Sequence, residues 1–123
     1  MRVPLILAAP GRLTGVRRAP QLASLTDVAP TILDLLGLPA PATPALGGRT
    51  LLEPQTRVVS FFTDQGLWQS AVRDGPWKLI EEHESGRARL YNLAADPGER
   101  IDVAPLEPAR ALHYRACLRA RGG

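Results

Sequence analysis

At 123 residues the chain is long enough for one small domain or for part of a larger one. Hydrophobic residues make up 45% and charged residues 22%, which excludes a disordered acidic tail and a low-complexity linker. A single cysteine excludes an internal disulfide and a multi-cysteine zinc site. The net charge of +3 is spread along the chain, with Lys78 the one lysine among fifteen basic residues, and forms no nucleic-acid-binding block.

In chain order, residues 3–9 (VPLILAA) are a continuous apolar run closed by Pro10-Gly11, the pattern of a strand covered on both faces. The run is short for a signal-peptide core and holds a proline. No stretch approaches the roughly 20 apolar residues of a membrane span. Residues 22–25 are expected to form a second short strand. The best helix follows, with Thr26 or Asp27 placed to cap its first turn and Pro30 at or near the first helical position. Val28, Ile32, Leu35 and Leu36 make its apolar face, expected to turn toward the two strands. Gly37 is placed for a left-handed cap and Leu38-Pro39 stops the helix. Residues 39–56, proline-rich and holding Gly47-Gly48, read as an extended connector.

The second half changes character. Residues 57–63 (RVVSFFT) read as a strand, and residues 68–73 and 77–82 flank Asp74-Gly75, a strong hairpin signal. A turn at Glu84-Ser85-Gly86 leads to a strand over 89–93, completing a four-stranded antiparallel meander. Asp96-Pro97-Gly98-Glu99 is a turn. Residues 106–119 form a final helix with Ala109, Leu112 and Ala116 on one side. The fold expected is an α/β segment over 1–56 followed by a small α+β subdomain over 57–123. A doubly covered strand and one helix do not enclose a core by themselves, so the first part reads as the end of a larger domain.

Few titratable groups converge. His83 lies in the acidic tip Glu81-Glu82-His83-Glu84, where a solvated rim is expected. His113 sits on the final helix beside small apolar residues and is expected to be a packed or half-exposed imidazole there, not a ligand. Cys117 lies near Arg115 and Arg119, but no histidine base is indicated for it and it reads as a small buried hydrophobe. The arginines of the final helix fall on both its flanks, with no single basic stripe. Lys78 is expected to lay its stem over apolar surface.

Five segments in order carry a resemblance. They are Val3-Pro4-Leu5-Ile6; Asp27-Val28-Ala29-Pro30-Thr31-Ile32-Leu33 ending in Gly37-Leu38-Pro39; Gly48-Arg49-Thr50-Leu51; Arg73-Asp74-Gly75-Pro76-Trp77-Lys78; and Leu90-Tyr91-Asn92-Leu93 through Asp96-Pro97-Gly98-Glu99. Together, over residues 2–104, they resemble the C-terminal third of the sulfatase family, within the alkaline-phosphatase-like superfamily. Thr50 stands for a usual Ser and Asn92 for a usual Asp.

The resemblance implies a sulfuric ester hydrolase whose full-length form uses a formylglycine and a calcium-type divalent cation. Both sets of residues belong upstream of the Val3-Pro4-Leu5-Ile6 strand. It therefore implies a missing N-terminal catalytic domain as the partner of this chain. A sulfate-ester substrate would bind only in the full-length enzyme, with neither a nucleic acid nor a membrane span involved.

Cys117-Leu118-Arg119-Ala120-Arg121 lacks the Pro and Ser of the formylglycine motif, and Thr63-Asp64-Gln65-Gly66 falls at the wrong place for a metal segment. No catalytic, cofactor-binding or metal residue is assigned in this chain. Two alternatives stay open: a fragment of a related phosphonate monoester hydrolase or phosphodiesterase, and a non-catalytic basic interaction module.

Overall fold

The computed structural model describes residues 4–15, 19, 21–39, 48–53, 56–63 and 66–121, which fall into two compact units, Met1–Gln55 and Thr56–Gly123. Val3, most of the connector and the Asp64-Gln65 pair lie outside the described residues.

In the first unit a single 3₁₀ turn, Leu25–Asp27, runs directly into helix α1, Val28–Leu36. The cap is Ser24, one turn earlier than the sequence pattern indicates. Its hydroxyl accepts from the Thr26 amide while the Asp27 carboxylate reaches back to the Ser24 amide at 2.7 Å, a capping box. The C-terminus is as expected. Gly37 takes φ +70° and the Leu38 amide returns to the Leu33 carbonyl at 2.9 Å, which satisfies carbonyls that the helix leaves open.

The strands expected over 3–9 and 22–25 are not formed: residues 4–9 and 22–24 are irregular and Leu25 belongs to the 3₁₀ turn. A strand exists only against a neighbour that takes its amides and carbonyls. Among the described residues of this unit there is none. The apolar face of α1 is left partly open for the same reason, with Ile32 47% and Leu36 61% exposed while Val28 and Leu35 are half-buried, and Ile6 of the apolar run is 88% exposed.

The second unit is the expected meander. Strands β1 (Val58–Thr63), β2 (Gln69–Asp74), β3 (Trp77–Glu82) and β4 (Ala88–Asn92) lie in the order β1-β2-β3-β4, each pair antiparallel. Asp74 pairs with Trp77, so the two loop residues of the β2–β3 hairpin are Gly75-Pro76 and not Asp74-Gly75. Gly75 has φ +53°, and proline's fixed negative φ suits the second loop position of such a turn. Asp74 is thereby left on the strand, where its side chain does other work.

Helix α2, Pro108–Arg121, packs on the face of the sheet that carries Val72, Leu79 and Leu90. Its seam is Ala111, Tyr114 and Leu118, not Ala109, Leu112 and Ala116, which are exposed. Tyr114 decides the rotation. Its ring completes the buried cluster and its hydroxyl donates to Asp74 Oδ2 at 2.9 Å, so both its apolar and its polar parts are satisfied. Arg115 forks onto Glu81 at 2.6 and 2.9 Å, and Arg110 stacks 4.2 Å over the Trp77 ring, fastening both flanks of the helix to the strands below.

Candidate functional site

The motif residues build two polar clasps, one in each unit. In the first, Asp27, Thr31 and Asp34 stand at i, i+4 and i+7 and so share one helical face. Asp27 Oδ1 accepts the Arg49 amide at 3.0 Å, the Thr31 hydroxyl oxygen accepts the Leu51 amide at 3.0 Å, and the Thr50 hydroxyl donates to Asp34 Oδ2 at 2.7 Å. Thr31 in turn donates to the Asp27 carbonyl at 2.6 Å. Asp27 and Thr31 are both fully buried. A buried polar group is tolerated only when hydrogen-bonded, and here each group is matched to the amides of the segment 49–51. Gly48 lets that segment come close. A Cβ on it would lie 1.9 Å from the Thr26 carbonyl oxygen. The face of α1 that packs within this unit is therefore polar, and the apolar face expected to do so is the open one.

The second clasp joins the hairpin to the turn after β4. Both Glu99 carboxylate oxygens accept from Lys78 Nζ, at 2.7 and 2.8 Å, and Lys78 is buried at 7% exposure. Phe61 lies beneath the ammonium, 5.8 Å from its ring centre. The Lys78 stem is thus covered as expected, and its head is ion-paired. Glu99 takes φ +56°, a left-handed conformation unusual for a side chain without local hydrogen bonding. Asp96 shapes the loop around it by accepting the Arg100 and Ile101 amides at 2.6 and 2.8 Å. The bond from Ile101, foremost, holds the Asp96 carboxyl below its usual range. Further on, Asp102 Oδ1 accepts the Leu90 amide and the Val103 amide returns to the Leu90 carbonyl, closing the outer edge of β4.

The titratable candidates fall elsewhere. His83 is exposed, stacked 4.8 Å from the Trp68 ring, with its Nε2 2.6 Å from Ser70 Oγ. The acidic tip is less solvated than expected. Glu81 is taken by Arg115 and Glu82 by Arg89 and Ser85, which leaves Glu84 and His83 facing water. The Ser85 bond, ahead of the Arg89 charge, holds the Glu82 carboxyl below its usual range. His113 is exposed, more open than the packed or half-exposed imidazole expected. It corrects the reading of Cys117, because its Nε2 lies 3.7 Å from the half-buried Cys117 Sγ. The i, i+4 spacing of His113 and Cys117 was the sequence signal for this pair, and a search for paired histidines passes over it. Among the described residues no three His, Cys, Asp or Glu side chains converge as metal ligands. Among the described residues, no helix is long and apolar enough to cross a membrane.

A helix clasped to a Gly-x-Thr-Leu stretch in one unit, and in the next a four-stranded antiparallel sheet under a C-terminal helix, resemble the C-terminal portion of a sulfatase. Mouse arylsulfatase K is 28% identical over 123 residues, covering 85% of this chain, and the rat protein is 28% identical over 121 residues. The chain spans about a fifth of the length of these curated relatives, 22% and 21%. Among solved structures, a 2-O GAG sulfatase matches 76% of this chain and 23% of its own, with a TM-score of 0.57 and 26% identity. A Bacteroides thetaiotaomicron protein described with glycosaminoglycan metabolism matches in fold, with a TM-score of 0.61 and 22% identity over 76% of this chain and 24% of its own. No family model matches the chain.

Proposed function

We propose that the chain is the C-terminal part of a sulfatase-like sulfuric ester hydrolase, in which it supports the catalytic domain and walls one side of the substrate cleft. On this reading residues 1–56 are the last piece of the α/β domain and residues 57–123 the antiparallel subdomain. The observation that carries the proposal is the pair of clasps. In the first unit the Asp-x-x-Pro-Thr segment is bonded to Gly-x-Thr-Leu, and in the second the Arg-Asp-Gly-x-x-Lys segment is bonded to Asp-Pro-x-Glu, so these motif residues are spent on holding each unit together.

The formylglycine and calcium-type cation that the likeness implies for a whole enzyme do not fit the residues described here. Cys117 lies on a helix without the Pro and Ser of the maturation motif. The carboxylates are committed singly: Asp27 and Asp96 to amides, Glu81, Glu82 and Glu99 to cations. A calcium-type ion needs several oxygens converging from separate loops. The active site belongs on this reading to a partner domain.

The open apolar face of the first unit is the surface that such a domain would cover, with Leu5, Ile6, Ile32 and Leu36 all exposed. Sedimentation velocity on the purified chain tests this. The expected result is self-association reversed by mild detergent. A soluble monomer that unfolds in one sharp thermal transition would overturn the reading.

A further inference from the structure

We infer that His113 and Cys117 form a chelating pair for a zinc-class cation on the exposed side of α2. The two residues stand one helical turn apart, with Nε2 and Sγ 3.7 Å from each other. Zinc bonds of about 2.3 Å to thiolate sulfur and about 2.0–2.1 Å to imidazole nitrogen, set at the tetrahedral angle, place two such donors about 3.6 Å apart. The observed separation is close to that bite. Both donors are of the kind that borderline and soft divalent ions prefer over calcium or magnesium.

The surroundings leave the pair accessible. His113 is exposed and Cys117 half-buried, while Tyr114 and Leu118 turn inward to the core. Two helix arginines are engaged elsewhere, Arg115 with Glu81 and Arg110 with Glu107 and the Trp77 ring. Water fills the remaining coordination positions. Two protein ligands supply roughly half the binding free energy of a four-ligand structural site, which corresponds to a dissociation constant of about 1 μM to 0.2 mM. The site is separate from the clasps and does not depend on the sulfatase reading.

The test is the rate at which Cys117, the chain's one thiol, reacts with a disulfide reagent at neutral pH, with and without zinc chloride. Zinc at 1 mM should slow the reaction by about 5-fold or more, because a metal-bound sulfur is a poor nucleophile. His113→Gln should remove most of that protection while leaving the circular dichroism of the chain unchanged. Calcium chloride at the same concentration should give no protection. Equal rates with and without zinc, or the same protection in H113Q, would overturn the inference. Protection lost because H113Q unfolds is recognised by the circular dichroism, and His113→Cys, which restores a metal donor at that position, should then recover it; failure to recover it counts against the pair.

Discussion

Replacing Glu99 by glutamine removes one charge and almost no volume, and it leaves the left-handed backbone at residue 99 as strained as before. The Lys78 ammonium keeps its place over the Phe61 ring but loses its counter-charge. Breaking a fully buried pair costs about 3–5 kcal/mol and breaking an exposed one about 0–1 kcal/mol. The Lys78 side chain is 9% exposed and that of Glu99 33%, so solvent screens one end of the pair and an intermediate cost of about 2 kcal/mol follows.

Amide hydrogen exchange reads this locally, without requiring cooperative unfolding of the whole chain. The Leu90 and Val103 amides, which tie the segment after the turn to β4, should exchange about 30-fold faster in E99Q. The double variant K78M/E99Q removes both charges and puts a thioether where the ammonium lay. It should return to within about 5-fold of the parent, because a buried ion pair is commonly replaced by apolar groups at little cost. Exchange in E99Q within 2-fold of the parent would refute the clasp, as would a double variant as fast as the sum of the two single ones.

Gly48→Ala places a methyl against the Thr26 carbonyl and should detach residues 49–51, raising Arg49 and Leu51 amide exchange about 10-fold or more while β3 is untouched. Tyr114→Phe should cost about 1–2 kcal/mol at neutral pH, read as faster exchange in β3 and β4. Burial, and then the bond to Asp74, raises the Tyr114 pKa above its ordinary 10.0. Its contribution is therefore complete below that pH and is lost as pH rises through the raised value; Y114F should abolish this alkaline loss. Asp96 behaves oppositely. Its folded pKa lies below the ordinary 3.8, so the protection it gives the Arg100 and Ile101 amides is present above that pH and lost as pH falls through the depressed value. Asp96→Asn should make that protection insensitive to acid.

Local chemistry made the second unit legible. The four strands, their order of pairing and the turn glycines Gly75 and Gly86 follow from alternation and turn residues alone, with strand ends shifted by a residue. The hairpin slipped by one position because Asp-Gly is the stronger loop signal in isolation, whereas Gly75 and Pro76 together fix the backbone and Asp74 is needed by Tyr114. The seam of α2 was misjudged because a tally of apolar residues favours Leu112 over Tyr114, although only the tyrosine can fill the core and reach a buried acceptor. In the first unit the apolar run 3–9 does read as strand. That pattern encodes a neighbour, and a strand without one has nowhere to place its amides.

The clasps were visible only as motif letters. Asp27 looked like a helix cap, and its bond to the Arg49 amide spans 22 residues across the connector, a distance no local pattern reports. The link from Lys78 to Glu99 is of the same kind. A lone lysine and a turn glutamate become partners only once the sheet and the loop after β4 bring them together.

The central claim, that this chain supports a sulfatase-type catalytic domain and holds no active site of its own, is tested most directly by turnover. Purified chain should be incubated with an aryl sulfate and with an aryl phosphate, each with added calcium, magnesium or manganese. The account predicts release of the phenol at the buffer rate in every case. Metal-dependent turnover that disappears on changing His83, Cys117 or Asp64 would contradict it.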